Sequence, residues 1–199
     1  MDGRVTLTLP RGVREAEALR FAAQKEPWIR GHLAARGEDV LIGHGTRLPL
    51  AGLVHQVVPG TGRRIVVADG QIAVPGPSQD VGVRLAAHLK QLARDRLATA
   101  SDHYAARLGK PYARITMRDT RSRWGSCTAD GGLMYSWRLI LAPQPVLEYV
   151  AAHEVAHLAE MNHSPDFWAR VTEIYGDYAE PRAWLRREGG DLHRYRFAR

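Results

Sequence analysis

His153, Glu154 and His157 lie in the pattern His-Glu-Val-Ala-His, and His163 follows six residues after the second histidine. On an α-helix, side chains four apart share a face. His153 and His157 can therefore offer imidazole nitrogens to one metal ion, and zinc is the ion that HExxH patterns hold. Glu154 lies next to the first histidine, where its carboxylate can take a proton from a water whose pKa the metal has lowered to about 7. The chemistry expected of this group is hydrolysis.

The elements around the motif must then present the third histidine. Six further residues of helix would carry His163 round the barrel, away from His157, so the helix is expected to stop first. Asn162 is expected to supply a left-handed residue at that stop, and Ser164-Pro165 reads as the N-cap and first residue of a new helix. Upstream, Val146 and Val150 continue the His153/His157 face, while Leu147, Ala151, Val155 and Leu158 form an adjoining apolar stripe. The motif is thus expected on a buried helix, where two imidazoles and a carboxylate are costly unless a cation partners them. The helix from Pro165 to Tyr175 is expected to turn Phe167, Trp168, Val171 and Ile174 inward, locking the turn that holds His163.

Four motifs occur in order: Arg123-Trp124-Gly125-Ser126-Cys127, Trp137-Arg138-Leu139-Ile140, His153 to His157, and Asn162-His163-Ser164-Pro165-Asp166-Phe167-Trp168. In these the chain resembles the YgjP-like zinc metallopeptidase family from about Pro111 to Arg187, itself distantly similar to SprT-type proteases. The resemblance implies an α+β fold with a zincin-like catalytic core. It also implies one zinc per chain held by His153, His157 and His163, Glu154 as the catalytic acid/base, and a peptide or protein substrate. Metzincins share the histidine spacing but need a glycine where this chain has Glu160, and a downstream methionine turn. No methionine follows Met161. Glu160 reads as a helix-face residue or a partner for a ligand histidine.

Further site candidates come from chemistry alone. Arg123 reads either as a contact for substrate or oxyanion, or as a structural brace for Asp119 or another acid. Tyr135, His193 and Tyr195 are candidate oxyanion donors. Gly125 suggests a close backbone approach, to the metal helix or to a substrate strand. Cys127 reads as a buried thiol in preference to an inhibitory metal ligand. A strand around Gly132 to Ser136, if exposed, would pair with an extended peptide.

The 199 residues suffice for one core, or a core with a smaller lobe, and carry a formal net charge of +7 with lysine only at Lys25, Lys90 and Lys110. The basic stretches Arg182 to Arg187 and His193 to Arg199 read as solvated surface, or else as contacts for nucleic acid or an acidic substrate; a SprT-like role near nucleic acid is the less favoured reading because no nucleic-acid module is visible. A zinc-stabilised binding protein without turnover is the other alternative. No apolar run reaches membrane-spanning length and no secretory pattern opens the chain, so no membrane contact and a cytoplasmic location are expected. One cysteine excludes an internal disulfide.

Two regions are expected, a strand-rich one from residue 1 to 78 with one helix, and the zincin-like core from 79 to 199. In the first, Val5 to Leu9 alternates as a strand, Arg14 to Ala35 as a helix, and Leu53 to Val58 as a strand. Asp2-Gly3 resembles a hairpin turn, which in the family would follow a strand. Asp69-Gly70 between Arg64–Ala68 and Gln71–Val74 is a strong hairpin signal. In the second, a helix is expected from Gln79 to Leu108, with Val83 among its apolar residues and its face behind the metal helix. Strands are expected at Ala113–Arg118 and Gly132–Ile140.

Overall fold

The computed structural model describes residues 7, 9, 12–34 and 37–198. The strand expected from Val5 to Leu9, apart from Leu7 and Leu9 themselves, and the Asp2-Gly3 turn fall outside them. The chain divides into two compact units, Met1–Asp39 and Val40–Arg199. The first holds helix α1 (Glu15–Ala34), with Glu15 and Glu17 in its first turn, where carboxylates complement the helix dipole. Among the described residues no helix is long and apolar enough to cross a membrane.

The second unit begins with β1 (Val40–Leu41), β2 (Arg47–Leu50), β3 (Leu53–Gly60), β4 (Val66–Ala68) and β5 (Gln71–Pro75). The last four form one sheet in the order β2-β3-β5-β4, with β3 and β5 parallel. The Asp69-Gly70 turn is present, and both residues have positive φ, 49° and 70°. A second turn of this kind, Ala51-Gly52, joins β2 to β3 with φ of 51° and 80°. Sequence reading missed β2 because Pro49 lies inside it, and proline is tolerated only on such an edge strand.

Helix α2 (Val81–Leu108) follows. It buries Val81, Leu85, Leu89, Ala93, Leu97, Ala100 and Tyr104, a stripe at spacings of four and three. Val83, expected among its apolar contacts, faces solvent instead. Next come β6 (Arg114–Arg118), β7 (Gly125–Cys127) and β8 (Gly132–Ser136), in the order β6-β8-β7, with β6 parallel and β7 antiparallel to β8. Then follow α3 (Gln144–Ala156), α4 (Pro165–Tyr175), α5 (Ala179–Glu188) and β9 (Tyr195–Arg196), which pairs in parallel with β1. Helix α3 packs on α2, as expected, and against α4, α5 and β7. The fold is α+β, with helices and sheet packed around α3.

The strand expected from Gly132 to Ile140 ends at Ser136, and Trp137–Leu141 forms a 3-10 helix. The ladder has run out: Ser136 pairs with Arg118, the last residue of β6, and Tyr135 with Gly125, the first of β7. Backbone groups without strand partners must find others. The Ile140 and Leu141 carbonyls accept from the Ala51 and Gly52 amides, at 2.8 and 3.2 Å. The run also buries Arg138, whose Nε and Nη2 donate to Asp119 at 2.6 and 3.3 Å while Nη1 donates to the Leu192 and Tyr195 carbonyls at 2.9 and 3.0 Å. Asp119 is therefore braced by Arg138 and not by Arg123, one of the alternatives read from sequence.

Replacing this buried arginine leaves a carboxylate and two carbonyls without donors. Arg138→Met is expected to destabilise the protein by about 2 kcal/mol or more, measured by urea unfolding; a loss below about 0.5 kcal/mol would show that water replaces the guanidinium at little cost.

Candidate metal centre

Helix α3 is apolar on almost every side, burying Val146, Leu147, Val150, Ala151, Ala152, Val155 and Ala156 along with Glu154. It therefore stays packed for nearly its whole length, and Glu154 goes inside with it. It ends at Ala156, and His157 caps it with a still helical φ of −63° and ψ of −18°. The four-residue spacing from His153 is thus kept on one face. The exit differs from the one expected. No residue between 157 and 164 has positive φ; the chain leaves through tight turns, with Leu158 and Ala159 amides donating to the Val155 and Ala156 carbonyls. Asn162 acts at the next step, its Oδ1 accepting from the Ser164 amide at 3.0 Å. Ser164 caps α4 through Oγ, which accepts from the Phe167 amide, and Pro165 opens the helix as expected.

This route brings His163 back to α3. His163 Nε2 lies 3.1 Å from His153 Nε2, close to the ~3.3 Å between two nitrogens each about 2.05 Å from one tetrahedral zinc. One nitrogen from each of His153, His157 and His163 lies within 4.8 Å of the others, a set that could hold a metal ion. His157 Nδ1 lies 2.9 Å from the Glu160 carbonyl. A carbonyl only accepts, so Nδ1 carries the proton and Nε2 keeps its lone pair for a cation. Glu160 is thus a partner through its backbone and not through its carboxylate. Phe167, fully buried, packs its ring against all three imidazoles, with centroids 4.9, 4.4 and 4.8 Å from His153, His157 and His163. Burial lowers the pKa of His157 and takes that of His153 down to about 3, helped there by His157, His163 and Arg182. Both rings are then neutral near pH 7, the state in which imidazole binds metal. The donor set fits a divalent cation.

Glu154 shares a cleft of about 640 Å³ with His153 and His163; Trp124, Gly125, Tyr149, Trp168, Arg182, Leu185 and Arg186 also line it. A Cβ at Gly125 would lie 2.5 Å from Glu154 Oε1, so the close approach expected of this glycine is to the metal helix. The other candidates scatter. Arg123 is exposed, with its charge acting on Glu154. Tyr135 does not reach the cleft: it is fully buried, and its hydroxyl is 3.0 Å from Ser101 Oγ. His193 is buried behind the cleft wall, stacked on Trp124 at 5.0 Å. Tyr195 belongs to β9 and gives its carbonyl to Arg138. Cys127 is half-buried, with burial first among the causes that push its thiol up to about 11, and it stands outside the histidine set. Tyr149 escaped sequence reading, and Arg182 and Arg186 stood out only as part of a basic stretch, because none of the three shares a motif with the histidines.

Burial pushes the Glu154 carboxyl up to about 8, against the opposing charge of Arg123. In the unfolded chain a glutamate ionises near ~4.3. Between those values the unfolded state has released a proton that the metal-free folded state keeps, so stability falls as pH rises. His153 works the other way, weakening the fold as pH falls below about 6.5. In EDTA-treated protein, Glu154→Gln is expected to stabilise by at least about 1 kcal/mol more at pH 8 than at pH 5. Urea unfolding at the two pH values checks this, and equal effects at both would refute the burial account.

No curated protein matches the chain. Among solved structures it is similar to the metallopeptidase zymogen of Pyrococcus abyssi abylysin, with 18% identity, 47% of this chain and 92% of that chain covered, and a TM-score of 0.41. A family model, the YgjP-like metallopeptidase domain, matches residues 1–188. A metallopeptidase family implies a metal cofactor and peptide or protein substrates, and with nearly its whole length matched the chain belongs to the YgjP-like metallopeptidases.

Proposed function

We propose that the protein is a zinc peptidase in which His153, His157 and His163 hold the ion and Glu154 is the general base. The observation that carries this reading is the convergence of three imidazoles, two of which, His153 and His163, share a cleft with the buried Glu154 carboxylate. Three neutral nitrogen donors favour zinc among common ions. When bound, the ion polarises the scissile carbonyl and acidifies the attacking water. Glu154 takes the proton from that water as its oxygen attacks the carbonyl carbon, and returns it to the leaving amine. Burial alone keeps the carboxyl protonated at neutral pH; the charge of Arg123 and an adjacent divalent cation both favour the carboxylate that a base must be.

Substrate positioning falls to β7. The expectation that residues 132–136 would offer an exposed edge is corrected by the sheet order, since β8 lies between β6 and β7 with both edges paired. Strand β7 is the edge next to Glu154, and its Gly125 lines the cleft. An extended peptide that pairs with it through backbone hydrogen bonds is bound with little dependence on side chains.

Elemental analysis should find one zinc per chain, lost or greatly weakened in His163→Ala. Glu154→Gln should retain the metal while hydrolysis of a denatured protein substrate drops by about 10²-fold or more; a variant that still cleaves at the wild-type rate rejects the glutamate base. Gly125→Ala should also keep its zinc but lose about 10²-fold in rate, because the new methyl displaces the Glu154 carboxylate. Unchanged turnover in that variant would mean the contact is slack.

A further inference from the structure

Arg182 and Arg186, one helical turn apart on α5, line the same cleft as His153, Glu154 and His163. Glu154 is the one carboxylate in that lining. Structural arginines of this fold have partners: Arg138 holds Asp119 and two carbonyls, and Arg187, beside Arg186, pairs with Glu180 and Glu188. Arg182 and Arg186 meet no carboxylate and donate no side-chain hydrogen bond among the described residues. Arg182 is nevertheless held in place. Its guanidinium lies 4.3 Å over the Trp168 ring, Trp168 stacks on Tyr178 at 5.1 Å and 28°, and Tyr178 on Tyr149 at 6.0 Å and 18°. A guanidinium resting over a ring loses side-chain freedom yet keeps its in-plane N–H donors, the geometry that receives a carboxylate with two bonds.

We propose that Arg182, assisted by Arg186, binds a carboxylate of the peptide substrate, so that the cleft selects peptides with a negative charge near the bond to be cut. This deepens the peptidase reading and rests on it. The carboxylate comes either from the free C-terminus of the peptide or from an aspartate or glutamate side chain. Two like charges without counter-ions, beside a site that itself takes a cation, make an anion the complementary ligand.

The test reads binding and not turnover. Zinc-loaded Glu154→Gln protein is immobilised and offered two random hexapeptide libraries, one with free C-termini and one amidated, and retained peptides are sequenced by mass spectrometry. Retained peptides should be enriched about tenfold or more in free C-termini when the two libraries are mixed, or in Asp and Glu when the amidated one is used alone. The first result assigns a terminal carboxylate and the second a side chain. Adding Arg182→Gln should abolish the enrichment and Arg186→Gln reduce it, with zinc content unchanged as the sign of an intact centre. Absence of enrichment, or enrichment that survives Arg182→Gln, overturns the proposal. A wild type that binds carboxylates but cleaves nothing rejects the peptidase reading instead, so the two failures are told apart.

Discussion

A helix that is packed on nearly all sides carries two histidines and a glutamate into the interior, and the rest of this fold is arranged around that burden. Buried polar groups cost stability unless each finds a partner. The Glu160 carbonyl accepts a hydrogen bond from His157 Nδ1, and His163 is folded back to face His153. Phe167 closes the set from beneath with a ring against all three imidazoles. What these contacts leave over, the nitrogens of three converging imidazoles and a carboxyl held above its usual range, is the chemistry a divalent cation completes. Affinity for metal and strain on the metal-free fold thus have one origin.

The cleft shows a division of labour between backbone and side chains. On one wall β7 contributes an edge whose glycine admits the Glu154 carboxylate, and a side chain there would close the space. Another part of the lining is a ladder of rings ending in Arg182. On the proposed reading backbone pairing accepts almost any extended peptide while a stacked arginine discriminates by charge, so generality and selectivity would come from different elements.

The chemistry was legible in the sequence where it is local. HExxH spacing reports a helix face directly, and Ser164-Pro165 reported the restart of the chain after His163, because capping rules act within a few residues. The helix exit was misplaced, since tight turns after His157 need no special residue to mark them. The run Trp137 to Ile140 reads as strand because three of its four residues are apolar and so short a run has no period to read; only the lengths of β6 and β7 decide where β8 must stop. Tyr135 became a candidate donor by residue type, and burial against Ser101 is a tertiary fact. Arg182 and Trp124 reach the cleft from segments far apart in the chain, so no window of sequence shows them together.

The Arg138 clamp joins Asp119 to the carbonyls of Leu192 and Tyr195, β9 pairs with Val40, and His193 backs the Trp124 wall. Viewed as a timetable of synthesis, these links set an order. Synthesis runs from the N-terminus, so the HExxH helix is made before residues 189–197, and Arg138 waits for its carbonyls, β1 for its strand and Trp124 for its support. The wall of the cleft is braced only when that closing segment has been made.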